Sequence, residues 1–120
     1  MYSVLNIGGE GEVEGALNVN SLIATRRSEG KVKSHPLVIG DMQALPFKDE
    51  AFEAVVGNDV PFQHGEFPET VAKEAYRVLC HGGRIRIVSR SGGATGWLGY
   101  LERAGFHSVG IEGAYAVGTK

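Results

Sequence analysis

Short apolar runs rich in Val, Ile and Leu, separated by Gly, Asp, Asn and Ser, recur along the whole chain. Runs of this length bounded by turn residues are typical of buried β-strands. The pattern predicts strands at residues 4–7, 17–20, 37–40, 54–57, 84–89, 107–112 and 114–118. The first and fourth runs are almost wholly apolar, which indicates strands covered on both faces.

Two further segments carry apolar residues at helical spacing, and the pattern predicts helices over residues 68–79 and 95–104. Thr95 is the expected N-cap of the second helix, and Gly105 the expected left-handed stop. Strands and helices alternate through this half of the chain, which predicts a mainly parallel α/β sheet. The last two strands follow each other too closely for a crossover, so one of them must be antiparallel.

The stretch from residue 10 to residue 34 fits two interpretations. Its apolar positions allow a helix directly after the first strand. However, Gly11, Gly15 and several Asn and β-branched residues are poor helix formers. We therefore favour a short loop, a second strand at 17–20 and a helix at 21–27. The sheet then has seven strands, or six in the helical alternative.

Composition and charge narrow the class of protein. With 120 residues, of which 42% are hydrophobic and 22% charged, the chain is expected to fold as one globular domain over residues 1–120. A net charge of −2 gives no support to a nucleic-acid-coating surface. No apolar run approaches the roughly 18 residues of a membrane span, and Cys80 is the single cysteine. We expect a cytoplasmic protein with no membrane association. The four histidines lack ligand spacing, so no metal is predicted.

Three motifs occur in order along the chain. Residues 4–12 read VLNIGGEGE, residues 40–59 read GDMQALPFKDEAFEAVVGND, and residues 74–90 read EAYRVLCHGGRIRIVSR. They resemble the segments VLDIGCGTG, DAxxLPFxDxxFDxV and ExxRVLKPGGRLxI of class I methyltransferases that use S-adenosylmethionine (SAM). The tail from residue 101, LERAGFHSVGIEGAYAVGTK, also resembles the end of that family.

The resemblance implies a Rossmann-like three-layer sandwich, SAM as cofactor and methyl transfer to an unidentified acceptor. It implies a cofactor site at the carboxyl ends of the parallel strands. The residues that it assigns to this site are Asn6, Gly8, Gly9, Asn20, Asp41, Met42 and Asn58. The sequence offers no equally clear set of catalytic acids and bases.

Each position suits its implied role. The two glycines let backbone approach a ligand without a Cβ in the way. Asn18 or Asn20, at the second strand, would hold ribose hydroxyls through a neutral amide. Asp41 would accept a hydrogen bond from the adenine amine, with Met42 covering the ring.

The chain also departs from the family pattern. Asn6 stands where the family has an acid, and Glu10 replaces the second glycine of the loop. Only about thirty residues separate Gly9 from Asp41, so the first helix is expected to be missing. An alternative function follows, namely an inactive methyltransferase-like binding module, including a domain of a larger bacterial secreted or toxin-like protein.

Loss of a helix has a further consequence for the sheet. Both predicted helices follow late strands and are expected on the same face, which leaves the other face less protected. An uncovered apolar patch of several hundred Å² usually marks an interface. We therefore expect a homodimer through that face, or a partner or a further part of a longer chain that covers it.

Overall fold

A single mixed β-sheet organises the part of the chain that the computed structural model describes, namely residues 2–9, 12–20, 36–62, 66–90 and 93–120. Its strands are β1 Val4–Ile7, β2 Leu17–Asn20, β3 Leu37–Ile39, β4 Phe52–Gly57, β5 Leu79–Ile87, β6 His107–Glu112 and β7 Tyr115–Thr119. Helix α1 spans Glu66–Val78, and a 3-10 turn at Thr95–Trp97 leads into α2, Leu98–Ala104. The predicted helix at 21–27 lies outside the described residues.

The strand order is β3-β2-β1-β4-β5-β7-β6. Strands β1 to β5 pair in parallel, whereas β7 runs antiparallel to both β5 and β6. The seven strands and the antiparallel strand near the C-terminal edge confirm the predicted α/β sheet. Strand β7 is brought alongside β6 by a tight turn in which Gly113 has a φ of 58°.

One face of the sheet carries the hydrophobic core. Register partners Leu5, Val55 and Ile85 lie on this face, and they belong to one buried cluster with Val71 of α1 and Leu101 of α2. We call it the helix face. Each such side chain contributes roughly 1.5–3 kcal/mol when it is withdrawn from water. Both described α-helices therefore cover the same face, as the sequence predicts.

The opposite face, which we call the second face, is unexpectedly polar. Its register rows place Asn18, Asn6, Val56 and Arg86 side by side on β2, β1, β4 and β5. The three asparagines of β1 and β2 are all buried, whereas Arg84 and Arg86 are exposed. Parallel strands covered by a helix would instead carry apolar residues there.

The connection between β1 and β2 is too short for a helical crossover. Only residues 8–16 link the two strands, although they are parallel neighbours. Such pairs ordinarily need a connection of a dozen or more residues. Described residues 12–16 form a bend and a turn. The expected absence of the first helix is confirmed for the described part of this connection.

Two local predictions differ from the structure. Strand β5 starts at Leu79, directly after α1, whereas the sequence predicts that this strand begins at residue 84. Thr95 is not an N-cap, because the cap position is Ala94 and no side chain caps the turn. Gly105 does end α2 with a φ of 117°. Neither described helix is long and apolar enough to cross a membrane.

Candidate functional site

The carboxyl ends of the parallel strands bring the predicted residues to one edge of the sheet. Ile7 and Gly57 are register partners, so Gly8 and Asn58 leave adjacent strands at the same level. The Gly40 N–H donates to the carbonyl oxygen of Asn20 at 2.9 Å, which brings the residue before Asp41 against the end of β2. This is the edge at which open α/β sheets bind their ligands.

Gly8 makes the turn that leaves β1. Its φ of 67° is in the left-handed region, which side chains rarely adopt. Its N–H donates to the carbonyl oxygen of Val19 at 2.8 Å, and this bond fixes the turn to β2. A Cβ at Gly8 would lie 3.4 Å from the Cε of Met42. The structure thus brings Gly8 and Met42 together, as the predicted site requires.

A hydrogen-bonded network of amides lies beneath the loop on the second face. Asn6 Nδ2 donates to Asn18 Oδ1 at 3.0 Å and to the two carboxylate oxygens of Glu12 at 2.9 and 2.6 Å. Asn18 Nδ2 in turn donates to the carbonyl oxygens of Ala16 and Pro36. These bonds tie the short connection to the strands where a helix would otherwise pack.

One atom of this network is left without a hydrogen bond. Among the described residues, Asn6 Oδ1 is buried and has no partner. The amide orientation is fixed by its neighbours, because a flipped amide would point an oxygen at the Glu12 carboxylate and at Asn18 Oδ1. An unpaired buried acceptor costs about 1–3 kcal/mol.

Gly9 is required by the network itself. A Cβ built on Gly9 would overlap Asn18 Oδ1 and would lie 2.7 Å from Asn6 Cγ. Gly9 is buried, and its carbonyl oxygen accepts a bond from Asn20 Nδ2 at 3.2 Å. Packing alone therefore explains this glycine, whether or not a ligand approaches it.

Asp41 begins a tight turn after β3. Its Oδ1 accepts the N–H of Gln43 at 2.9 Å, and its carbonyl oxygen accepts the N–H of Ala44 at 3.0 Å. A carboxylate in this position caps the turn. The same side chain is exposed at the carboxyl edge. Asp41 thus has a structural role beside the adenine contact that the resemblance implies.

Helix α1 clamps the segment that follows this turn. Glu74 accepts the N–H of Leu45 at 2.7 Å, and Arg77 donates to the carbonyl oxygens of Leu45 and Phe47 at 2.9 and 2.8 Å. Arg77 also bonds the carboxylates of Glu74 and Asp49, at 2.7 and 2.8 Å. The residues of the LPFxD and ExxRVL motifs thus contact each other directly.

The contacts of Glu74 and Arg77 with residues 45–49, which we call the clamp, shift the pKa values of both side chains. The hydrogen bond from Arg77 lowers the pKa of Glu74, against the opposing effect of partial burial. The bond to Glu74, with the further bond to Asp49, raises the pKa of Arg77. Both groups are therefore charged at neutral pH, which gives charge-assisted hydrogen bonds.

A second group of side chains meets at the end of β4. The Tyr115 hydroxyl, at the start of β7, donates a short hydrogen bond to Asn58 Oδ1. The guanidinium of Arg86 lies over the Tyr115 ring, 5.2 Å from its centroid. The next residue, Asp59, has a φ of 55° and pairs with Arg90 at 2.8 Å.

The structure brings the predicted residues together and adds others that sequence reasoning missed. Gly8, Met42 and Asn58 lie at the edge itself, whereas Asn6 lies one residue inside β1. Glu12 and Tyr115 were not predicted. Glu12 is the last residue of the first motif, at a position where the family has glycine, and Tyr115 reaches Asn58 across 57 residues through the β7 pairing. Within the described ranges, no group of three or more His, Cys, Asp or Glu could hold a metal ion.

A family model described as a methyltransferase domain matches residues 15–87, which is more than half of the chain. The match begins at Gly15, after the glycines that leave β1, and ends with β5. It therefore includes the turn at Asp41 and the whole clamp. No curated protein matches the sequence.

Solved structures share the fold, among them two described as SAM-dependent methyltransferases. A SAM-dependent methyltransferase from Thermotoga maritima, described as a possible histamine N-methyltransferase, has a TM-score of 0.68 and 20% identity, and the match covers 100% of this chain and 83% of that one. A TehB-like SAM-dependent methyltransferase from Corynebacterium glutamicum has a TM-score of 0.68 and 19% identity, with 98% and 79% covered. The YcgJ protein of Bacillus subtilis has a TM-score of 0.54 and 23% identity, with 72% and 43% covered. The chain thus spans less than half of the last protein, and identities this low establish the fold alone.

Proposed function

Because the chain belongs to the methyltransferase domain family, we propose that it binds SAM at the carboxyl edge of β1 to β4 and transfers the methyl group to an acceptor. The observation that carries the proposal is the meeting of Gly8, Met42 and the Asp41 turn at that edge. A cytoplasmic location remains an expectation from the sequence.

The residues at the edge fit the chemistry of this cofactor. Because Gly8 has no Cβ, a ligand beside Met42 would be able to approach its backbone. The Glu12 carboxylate is exposed next to the buried amide of Asn6, where it would attract the amino group of the methionine moiety. Asp41 would accept from the adenine amine, and Asn20 from the ribose.

When bound, SAM would supply a methyl group activated by its sulfonium, for displacement by a lone pair of the acceptor with the S–C electron pair left on sulfur. The protein's contribution to such a displacement is mainly positioning. The clamp of Glu74 and Arg77 holds the segment after Asp41, and the amide network holds the loop at Gly8. The clamp and the network would thus hold in place the residues that contact the ligand at the strand ends.

Isothermal titration of the chain with SAM and with S-adenosylhomocysteine tests the proposal. We expect both to bind. Asp41→Asn keeps the turn cap but loses the carboxylate, and Asp41→Ala loses both, so affinity should fall about tenfold in the first and further in the second. Absence of binding in the folded chain would favour the alternative of an inactive binding module, for which the comparisons give no support.

A further inference from the structure

Beside the proposed cofactor loop lies a cluster of side chains of which only Asn58 is assigned to the cofactor site by the sequence resemblance. It consists of Asn58, Arg86 and Tyr115, which we call the acceptor-side cluster. All three lie at the carboxyl edge, since Asn58 follows β4, Arg86 is the penultimate residue of β5 and Tyr115 is the first residue of antiparallel β7. The row Asn6, Val56, Arg86 puts the arginine on the second face.

Arg86 differs from its neighbouring arginines in its partners. Arg84 bonds Glu112 at 2.7 Å and Arg90 bonds Asp59 at 2.8 Å. No carboxylate among the described residues pairs with Arg86, whose guanidinium instead lies over the ring of Tyr115. A cation–π contact positions a guanidinium but consumes none of its five N–H donors.

Tyr115 links this cation to Asn58. Its hydroxyl donates to Asn58 Oδ1, which orients the amide so that the Nδ2 donor points away from the phenol. Asn58 and Tyr115 are half-buried and Arg86 is exposed, so the cluster opens to solvent on one side. The guanidinium and the amide both contact Tyr115, and the N–H donors that these contacts leave unused suit an oxyanion.

We propose that the acceptor-side cluster binds the methyl acceptor, and that this acceptor carries an oxyanion group, either carboxylate or phosphate. The inference rests on the proposed function. Asn58 leaves β4 at the level where Gly8 leaves β1, so a ligand anchored on Arg86 lies next to the proposed methyl donor. The anchor orients the acceptor, and the reacting lone pair belongs to another part of the same molecule.

The test follows the arginine Nε–Hε resonances by NMR in the full chain during titration with inorganic phosphate or with acetate, at constant ionic strength set by chloride. The resonance that disappears in Arg86→Gln identifies Arg86. We expect it to shift saturably with at least one anion, and the two titrations distinguish phosphate from carboxylate. Arg84→Gln, on the same strand and face, is the matched control and should leave that shift unchanged.

Absence of a saturable shift at Arg86, or an equal shift at Arg84, would overturn the proposal. Tyr115→Phe keeps the ring under Arg86 but removes the bond to Asn58, and we expect anion affinity to fall about tenfold. An unchanged affinity would remove Asn58 from the cluster. Calorimetry with S-adenosylhomocysteine on the same samples separates the two proposals. If anions bind but S-adenosylhomocysteine does not, the proposed methyltransferase function is wrong. If S-adenosylhomocysteine binds but anions do not, only the acceptor site is wrong.

Discussion

Asn6 shows how a single residue can change the chemistry of a conserved-looking motif. The family pattern has an acid at this position, whereas this chain has a neutral donor that bonds the carboxylate of Glu12. The negative charge has therefore moved from the strand to the loop. The Glu12 carboxylate oxygens lie 2.9 and 2.6 Å from Asn6 Nδ2, and Glu12 is exposed to solvent.

Restoring the family's acid should therefore harm this protein. In Asn6→Asp a buried carboxylate would face Glu12 and Asn18 Oδ1, and the free energy of unfolding should fall by about 3 kcal/mol or more. Adding Glu12→Gln supplies a donor and should recover part of the loss. Urea unfolding of the two single variants and the double variant measures the coupling. An Asn6→Asp protein as stable as the parent at neutral pH would contradict the described network.

Gly9 gives a second prediction at this scale. Gly9→Ala places a methyl group onto Asn18 Oδ1, so we expect a loss of about 3 kcal/mol or failure to fold. Gly15→Ala is the matched control in the same connection. Its φ is 78° but nothing lies within 4 Å of the added Cβ, so only backbone strain of about 1–2 kcal/mol applies. Equal losses in thermal unfolding would show that the network does not constrain Gly9.

Among the elements, α1 does more than cover the sheet. Its Glu74 and Arg77 hold the segment from Leu45 to Asp49 through backbone and side-chain bonds. The segment that follows Asp41 has no described helix of its own, so its shape depends on this clamp. Motifs that are far apart in the sequence are parts of one structural unit.

The lowered pKa of Glu74 makes this unit sensitive to acid. Since the folded state favours the carboxylate, its contribution is present above the unfolded pKa near 4.5 and is lost as pH falls through the lower folded value. At pH about 6, Glu74→Gln should be less stable than the parent by about 1 kcal/mol. Urea midpoints should converge as the pH falls to about 3. If the stability difference between the parent and Glu74→Gln persisted unchanged in acid, the ionised Glu74 carboxylate would not be its cause.

The elements also show what sequence can reveal. Strands β1 and β2 were predicted with their observed bounds, because Gly8 directly follows the first run and Gly15 precedes the second. The start of β5 was not, since Gly82 and Gly83 lie inside the strand, where a Cβ on Gly83 would come within 2.9 and 3.0 Å of the carbonyl oxygens of Cys80 and Glu53. Edge residues that follow strands are likewise predictable. Glu12 and Tyr115 are not, because Glu12 meets Asn6, and Tyr115 meets Asn58, only in the folded chain.

At the scale of the whole molecule, polar side chains occupy the second face of the sheet, where apolar side chains are expected. The amide network of β1 and β2 and the arginines of β5 occupy much of the second face. Val56 and Val117 on that face are buried. Of the large apolar side chains exposed in the described ranges, Ile39 of edge strand β3 lies on this face.

The homodimer or covering partner predicted from the sequence remains a prediction, and Ile39 is where we now expect the contact. Light scattering at micromolar concentration should show a dimer that Ile39→Lys converts to monomer. Ile111→Lys, on β6 at the opposite edge, is the control and should leave the dimer intact. A clean monomer that binds no hydrophobic dye would mean that the second face is already covered.

The lack of space for a Cβ at Gly9 affects what the retention of this glycine in related sequences would mean. Glycine at this position is held by two asparagine amides, so selection for folding alone preserves it. In an alignment of related sequences, Gly9 and Asn18 should therefore be replaced together, whether or not the proposed cofactor is bound. An invariant glycine at this position would record a packing constraint, so substitutions at Gly8, Asp41 and Met42, and not at Gly9, test the proposed cofactor site.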